Sequence, residues 1–274
     1  MIDLDLIKIA LAEDLAGGKD ITSVATISPD SETTADFIAR ADGVISGIAM
    51  ALAVLKEVGL TEITEFKADG SAVKAGDILI TVHGNTRAIL LAERTALNFL
   101  CHLSGIATIT SKWVKEVAHT KCLVRDTRKT TPGMRILEKH AVVMGGGTNH
   151  RMSLSDAALI KDNHIVAAGG VSHAFAKVRT IYPDAEIEIE VDNLQQLSEL
   201  ISLSPDLVLL DNMNPSECAE AVALVSGAFK LEASGGITFE SAKAFAESGV
   251  DFIAIGALTH SAPIFDIGLD LRAE

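Results

Sequence analysis

Aromatic side chains are scarce in this chain: one Trp, one Tyr and nine Phe make up 4% of its 274 residues. Proteins that hold single-stranded nucleic acid without sequence preference stack its bases on aromatic faces, and a net charge of −14 repels a polyanion. Nucleic acid is excluded as a partner. The three cysteines, Cys101, Cys122 and Cys218, are odd in number and far apart, which argues against a disulfide framework and a zinc site. No apolar run reaches the roughly 18 residues that a membrane span needs, so no membrane partner is expected. The first residues, MIDLDLIKIALAEDL, alternate acids with aliphatics and have no basic segment, so they do not read as a secretory signal. The expectation is a soluble, cytoplasmic protein.

What the chain does have is size and rhythm. With 48% hydrophobic and 22% charged residues it can bury a large core, as one α/β domain or one with a smaller companion. Leu4, Ile7, Leu11 and Leu15 share one face of a helix over Asp3–Leu15, ended by Gly17-Gly18 and Asp20. A strand over Thr33–Ala41 turns at Asp42-Gly43, and a helix over Ile48–Val58 closes at Gly59. Two short strands around Asp69-Gly70 and Gly76-Asp77 follow, then a helix from Ala88 to Phe99. Residues 1–110 therefore read as a mixed α/β domain. Its boundary falls within a helix around Thr108–His119, and 111–274 form the second domain, with the last residues candidates to return to the first.

In the second half apolar runs with polar C-terminal ends recur: CLVRDT (122–127), AALIKD (157–162), EIEIEVD (186–192), DLVLLDN (206–212), KLEASG (230–235) and DFIAIG (251–256). Helical patterns separate most of them, at Ser172–Tyr182, Leu194–Leu203, Pro215–Ser226 and Phe239–Ser248. Lys161, Glu190, Asp211, Ser234 and Gly256 stand at the ends of five of these runs, 29, 21, 23 and 22 residues apart. That is the period of successive βα units, whose parallel strands present their C-terminal ends on one face. The fold class is α/β: an open α/β barrel of about six or seven strands, with Met152–Leu154 the candidate for the seventh, behind an N-terminal mixed α/β domain. A doubly wound sheet fits less well, because no G-x-G-x-x-G follows Val124.

The stretch from Val124 to His164 carries seven Lys/Arg against four acids in an otherwise acidic chain, and no aromatic residue. Thr130-Thr131-Pro132-Gly133 and Gly145-Gly146-Gly147-Thr148-Asn149 sit beside Arg128-Lys129 and His150-Arg151. Permissive backbone next to cationic side chains makes phosphate and carboxylate sites. A solvated charged helix with loops is the plainer alternative. Glu186, Glu188 and Glu190 alternate with aliphatics, which belong under the helices, so the glutamates point into the barrel. They form either a buried ion pair with a base such as Lys161 or, with Asp211, a site for ribose hydroxyls or a Mg²⁺ arriving with a phosphorylated substrate. Ser234-Gly235-Gly236 and Gly256-Ala257 are either plain turns or a phosphate corner. His150 and His164 are either core residues or catalysts. A Schiff-base lysine must lose its charge, and inward glutamates facing Lys161 oppose that, which favours an electrostatic role.

The blocks ALAEDL, DIT, ERTALNFL, LSGIAT, DTRKTTPG, GGGTNHR, LIKDNH, EIEVDN, LLDNM, LEASGGI and IGALTHS, in this order over essentially the whole chain, resemble those of the quinolinate phosphoribosyltransferases. Met134 and Met152 stand where Leu is expected, and these changes conserve volume. The resemblance implies condensation of quinolinate with 5-phosphoribosyl-1-pyrophosphate, releasing pyrophosphate and CO₂ and giving nicotinate mononucleotide for NAD synthesis. It implies a homodimer or higher oligomer with shared sites. Arg128, His150, Arg151 and Lys161, with Arg94 from a neighbouring copy, would surround the substrate carboxylates, next to Thr127. Lys129 and Lys161 would meet phosphates, Glu190 and Asp211 the ribose and its Mg²⁺, and Ser234, Gly235, Gly236 with Ile255, Gly256 and Ala257 the 5′-phosphate. Lys129, Lys161, Glu190 and Asp211 would be the catalytic set. Two rivals stand beside this: a molybdenum-transport-associated paralogue of the same fold, in which the DTRKT block would be altered and the IKDNH block lost, and a non-catalytic phosphosugar sensor.

Overall fold

The computed structural model describes residues 3–272. Its contacts gather into two compact units, and the division falls inside one long helix, between Ser111 and Lys112. Thr131–Gly146 and the segment from Ser261 onward count with the first unit, while Lys112–Thr130 and Gly147–His260 make up the second.

In the first unit α1 (Leu4–Leu15) starts where the Asp3 side chain accepts the Leu6 amide, and Ala16 ends it in a left-handed conformation. It buries Ile7 and Leu11, while Leu4 lies exposed and Leu15 half-buried, so the core-facing stripe is narrower than its periodicity suggests. Asp20 caps a further short helix, α2 (Ile21–Thr26), by accepting the amides of Thr22 and Ser23. This helix was not expected, because ITSVAT is rich in β-branched residues, but the cap satisfies two otherwise orphaned donors. Then come β1 (Glu32–Ala39), β2 (Gly43–Val44), α3 (Ile48–Glu57), β3 (Glu62–Glu65), β4 (Ala72–Val73), β5 (Ile78–Asn85) and α4 (Thr86–Val117). β1 pairs antiparallel with β5 on one side and with the closing strand Ile267–Leu271 on the other, and β3 extends the sheet beyond β5. Phe37, Ile80 and Val82 bury fully from this sheet. Gly105 on α4 is required by space: a Cβ there would lie 2.1 Å from the carbonyl oxygen of Pro263. The helix α5 (Arg135–Met144) completes the unit's main elements.

The second unit is built on six parallel strands: β6 (Leu123–Arg125), β7 (Ala158–Ile160), β8 (Ile187–Val191), β9 (Leu207–Asp211), β10 (Lys230–Ser234) and β11 (Phe252–Ala254). Their order is β6-β11-β10-β9-β8-β7, each pair parallel. This is the expected open α/β barrel, unclosed between β6 and β7 among the described residues. The helices α6 (Asp162–Ala168), α7 (Val171–Ile181), α8 (Leu194–Leu200), α9 (Pro215–Val225), α10 (Phe239–Glu247) and α11 (Ala257–His260) return the chain between strands or follow the last. The capping box at α9 shows why one begins where it does: Asn214 accepts the Glu217 amide, the Glu217 carboxylate accepts the Asn214 amide, and Pro215 takes the first turn.

Two expectations are corrected. No seventh strand lies at Met152–Leu154, where the Asp156 carboxylate accepts the amides of Met152 and Ser153 and folds the segment into a bend. The extra pairing is a single parallel bridge between Thr148 and Arg125. Glu186 is not buried with the other two glutamates: β8 starts one residue later and Glu186 is exposed. Glu188 and Glu190 do bury.

Candidate active site

A cavity of about 550 Å³ in the second unit is lined by Thr127, Arg128, Lys129, His150, Arg151, Lys161, Glu190, Asp211, Ser234, Gly235 and Gly236, among others. These come from segments far apart in sequence that meet at the strands' C-terminal ends, where barrel enzymes carry their chemistry. Leu159, Leu209 and Ala254 give the cavity an apolar part, and Asn212 and Glu232 add polar groups not foreseen from the sequence. The signal for Glu232 was available. Side chains two apart on a strand share a face, so Glu232 belongs with Ser234 just as Leu209 belongs with Asp211.

The cationic side is built on turns. Beyond β6, the Lys129 amide donates to the Thr127 hydroxyl at 3.0 Å and the Thr259 hydroxyl to the Lys129 carbonyl at 2.9 Å. Arg151 is anchored by Nη1 on the carbonyl of Ala157 at 2.9 Å. Burial, and then the charge of Arg128, push Arg151 below the usual guanidinium range. Nε of Arg128 is a buried donor with no hydrogen-bond partner among the described residues. Two crowded guanidinium groups, one with a donor unsatisfied, form a site that an anion would stabilise.

The acidic side is made by neighbouring strands. Lys161, at the end of β7, donates to Glu190 Oε2 at 2.6 Å. The ion pair weighed against a functional role thus exists, and it lies within the cavity. Asp211, one strand along, accepts from Asn212 Nδ2 at 2.7 Å, and its carboxyl is pushed up first by burial and then by the charge of Glu190. A cation brought next to Glu190 and Asp211 would relieve that crowding, so these two oxygen donors fit a Mg²⁺ carried by substrate. Gly235 has φ +95°, and a Cβ there would lie 2.2 Å from Asn212 Oδ1. With Gly236 it leaves backbone accessible after β10, as phosphate corners require.

Other expected residues lie elsewhere. Ile255, Gly256 and Ala257 do not line this cavity, although a Cβ on Gly256 would lie 3.1 Å from Cδ of Lys129. Arg94 sits on α4 in the first unit, in a separate cavity of about 290 Å³ with Glu13 and Asp14. His164 is exposed and not a core residue, and its Nδ1 accepts the Lys161 amide at 3.0 Å. His150 is buried, and both its ring nitrogens are engaged within the protein: Nδ1 accepts the Arg151 amide and Nε2 faces Glu188, each at 2.8 Å. Burial pushes the Cys122 and Cys218 thiols up to about 12 and about 11, so neither is a nucleophile.

Comparison with known proteins agrees with this geometry over nearly the whole chain. The family model described as quinolinate phosphoribosyl transferase, N-terminal domain, matches residues 20–104, and that of the C-terminal domain matches residues 106–270. A nicotinate-nucleotide pyrophosphorylase [carboxylating] of Mycobacterium leprae is 47% identical, covering 97% of this chain and 96% of the relative. A chloroplastic protein of the same name from Arabidopsis thaliana is 39% identical, over 98% of this chain and 82% of its own. The solved nicotinate-nucleotide pyrophosphorylase of Francisella tularensis superposes with a TM-score of 0.94 at 40% identity, over 98% and 95% of the two chains. By fold, motif order and identity together, the chain belongs to the quinolinate phosphoribosyltransferase family.

Proposed function

We propose that this chain transfers the phosphoribosyl group of 5-phosphoribosyl-1-pyrophosphate to the ring nitrogen of quinolinate and releases CO₂, giving nicotinate mononucleotide and pyrophosphate for NAD synthesis. The observation that carries this is the division of one cavity between crowded guanidinium groups and crowded carboxylates. Arg128 and Arg151 bind the two substrate carboxylates, a pairing for which planar forked donors suit better than point charges. Departure of pyrophosphate leaves positive charge on the ribose, which Glu190 and Asp211 stabilise. Lys129 and Lys161 neutralise the departing phosphates. A Mg²⁺ held by Glu190 and Asp211 with the substrate would add a further positive charge there. Once the ring nitrogen is ribosylated and cationic, the neighbouring carboxylate leaves as CO₂ and the ring carbon that carried it takes up a proton. Gly235 and Gly236 offer backbone amides to the 5′-phosphate.

The paralogue and sensor readings lose support because the DTRKT and IKDNH blocks stand and both acids keep their partners. Incubating the protein with quinolinate, 5-phosphoribosyl-1-pyrophosphate and Mg²⁺ should release CO₂ and nicotinate mononucleotide in equal amounts, while nicotinate is turned over poorly because a site for two carboxylates is left with one unpaired. Comparable turnover of nicotinate, or no CO₂, overturns the reading.

The reading extends to a cytoplasmic homodimer in which Arg94 serves the cavity of a second copy. Subunits carrying Arg94→Ala and subunits carrying Lys161→Ala should then be nearly inactive alone. Mixed by co-refolding, they should recover about a quarter of native activity, the fraction that random pairing in a two-fold dimer allows. No recovery on mixing refutes the shared site.

A further inference from the structure

His150, Glu188 and Glu232 are buried inside the barrel, and a ring nitrogen and two carboxylate oxygens from them lie within 4.8 Å of one another. Three such groups invite a metal, but the hydrogen bonding of His150 decides otherwise. A backbone N–H can only donate, and the Arg151 amide points at Nδ1 of His150 from 2.8 Å. Nδ1 therefore carries no proton, and the single proton of the ring sits on Nε2. A metal on Nε2 would strip the ring of that proton as well, leaving an imidazolate. An imidazolium is disfavoured in the same way, because a proton on Nδ1 would face another donor.

The Nε2 proton has a partner in place. Oε2 of Glu188 lies 2.8 Å from Nε2, whereas Oε1 of Glu232 is 3.7 Å away and Glu232 is instead held through Oε2 by Nη1 of Arg125 at 2.8 Å. Glu188 stands on β8 between two paired neighbours, so its position is fixed by the sheet. On the other side the His150 amide donates to Oδ1 of the fully buried Asp126 at 2.8 Å. The peptide joining His150 to Arg151 is thus pinned by Asp126 before it and by the imidazole after it, and the imidazole is pinned by Glu188.

We propose that Glu188 is a positioning residue for the anion site: it holds His150 as a neutral Nε2–H imidazole, and that ring fixes the backbone from which Arg151 projects. The proposal rests on the reading of Arg151 as a quinolinate ligand. It changes the part given to His150, whose ring nitrogens are committed to Glu188 and to the backbone and are not offered to the substrate. Glu188 itself touches no substrate.

The acceptor matters here and the charge does not, which separates this role from general electrostatics. Glu188→Gln keeps an oxygen for the Nε2 proton, and Glu188→Leu removes it. By calorimetry the Leu variant should bind quinolinate roughly tenfold more weakly or worse, since small displacements of a positioned group have large effects. The Gln variant should stay within about threefold, and 5-phosphoribosyl-1-pyrophosphate affinity should change little in either. Native quinolinate affinity in a folded Leu variant overturns the proposal. Should the Leu variant fail to fold, nitrogen-15 histidine spectra of the native and Gln proteins decide: both should show His150 as the Nε2–H tautomer, and an imidazolium or Nδ1–H form in the native protein overturns it. A native protein with the Nε2–H signature that binds no quinolinate would instead remove the functional reading, and with it the ligand assigned to Arg151.

Discussion

Asp36 in the first unit and Glu232 in the second are both buried acids on β-strands, and each has an arginine at hydrogen-bond distance. Arg272 donates to both oxygens of Asp36, at 2.8 and 2.9 Å, and Thr81 adds its hydroxyl. Held chiefly by the Arg272 hydrogen bonds, the Asp36 carboxyl lies below the usual range. Arg125 reaches one oxygen of Glu232, Oε1 accepts no hydrogen bond from the described residues, and Glu188 adds a like charge. Burial first, and Glu188 second, push Glu232 up to about 7. In the antiparallel sheet, charge is matched where it is buried. In the barrel, like charges are crowded together (Arg128 with Arg151, Glu190 with Asp211, Glu188 with Glu232), and balance waits for ligands or protons.

The largest expected effects come from removing geometry on the crowded side while keeping charge. Arg128→Lys and Arg151→Lys should each lower kcat/KM for quinolinate roughly 30-fold or more, with melting temperatures close to native, because lysine loses the forked donor and leaves a carboxylate imperfectly paired. Asp211→Asn should act on the opposite pole, weakening 5-phosphoribosyl-1-pyrophosphate use by roughly tenfold while calorimetric quinolinate affinity holds. A collapse of quinolinate binding in the Asn variant would exchange the poles.

A smaller effect tests the matched acid against the crowded one through pH. Asp36 has a lowered folded pKa, so its contribution is present above the unfolded value near 3.8 and is lost as pH falls. Glu232 has a folded pKa of about 7 against 4.5 unfolded, so the folded state binds the extra proton and stability declines as pH rises through that window. Asp36→Asn should therefore destabilise the protein at pH 7 by about 1 kcal/mol, a modest value because Arg272 is half exposed. Glu232→Gln should flatten the decline between pH 5 and pH 8. Calorimetric melting at both pH values reads the two signs, and equal slopes in native and Glu232→Gln proteins would show that Glu232 is already charged.

All six barrel strands were legible in the sequence because each is an apolar run ended by a polar residue, and from β7 onward a returning helix sets the period. The elements that escaped have weak local signals. β3 has glutamates at both ends and buries none of its residues, so no alternation marks it. The strand Ile267–Leu271 pairs only with a partner at the far end of the sequence, which no local window contains. α5 lies within a stretch dense in charge, and its Glu138 and Lys139 are buried where a helix surface is normally polar. The candidate site was legible where residues end strands, as with Lys161, Glu190 and Asp211. It was less so one step below, as with Glu188 and Glu232, because inward acids read alike until their partners are known. The tautomer of His150 depends on a backbone amide and is written in no side chain.

The pairing of β1 with Ile267–Leu271 also governs the order in which the molecule can be made. Asp36 and Arg272 are 236 residues apart in sequence, yet share two hydrogen bonds. During synthesis β1 leaves the ribosome long before Ile267–Leu271, and one of its edges stays bare until that strand is made. An unpaired edge is a template for wrong partners, and distant pairings form late. In the barrel, the strands from β7 to β11 pair in sequence order and can assemble while the first sheet still waits, whereas β6 waits for β11. A chain cut before Ile267 would thus wound the beginning of the protein, not its end.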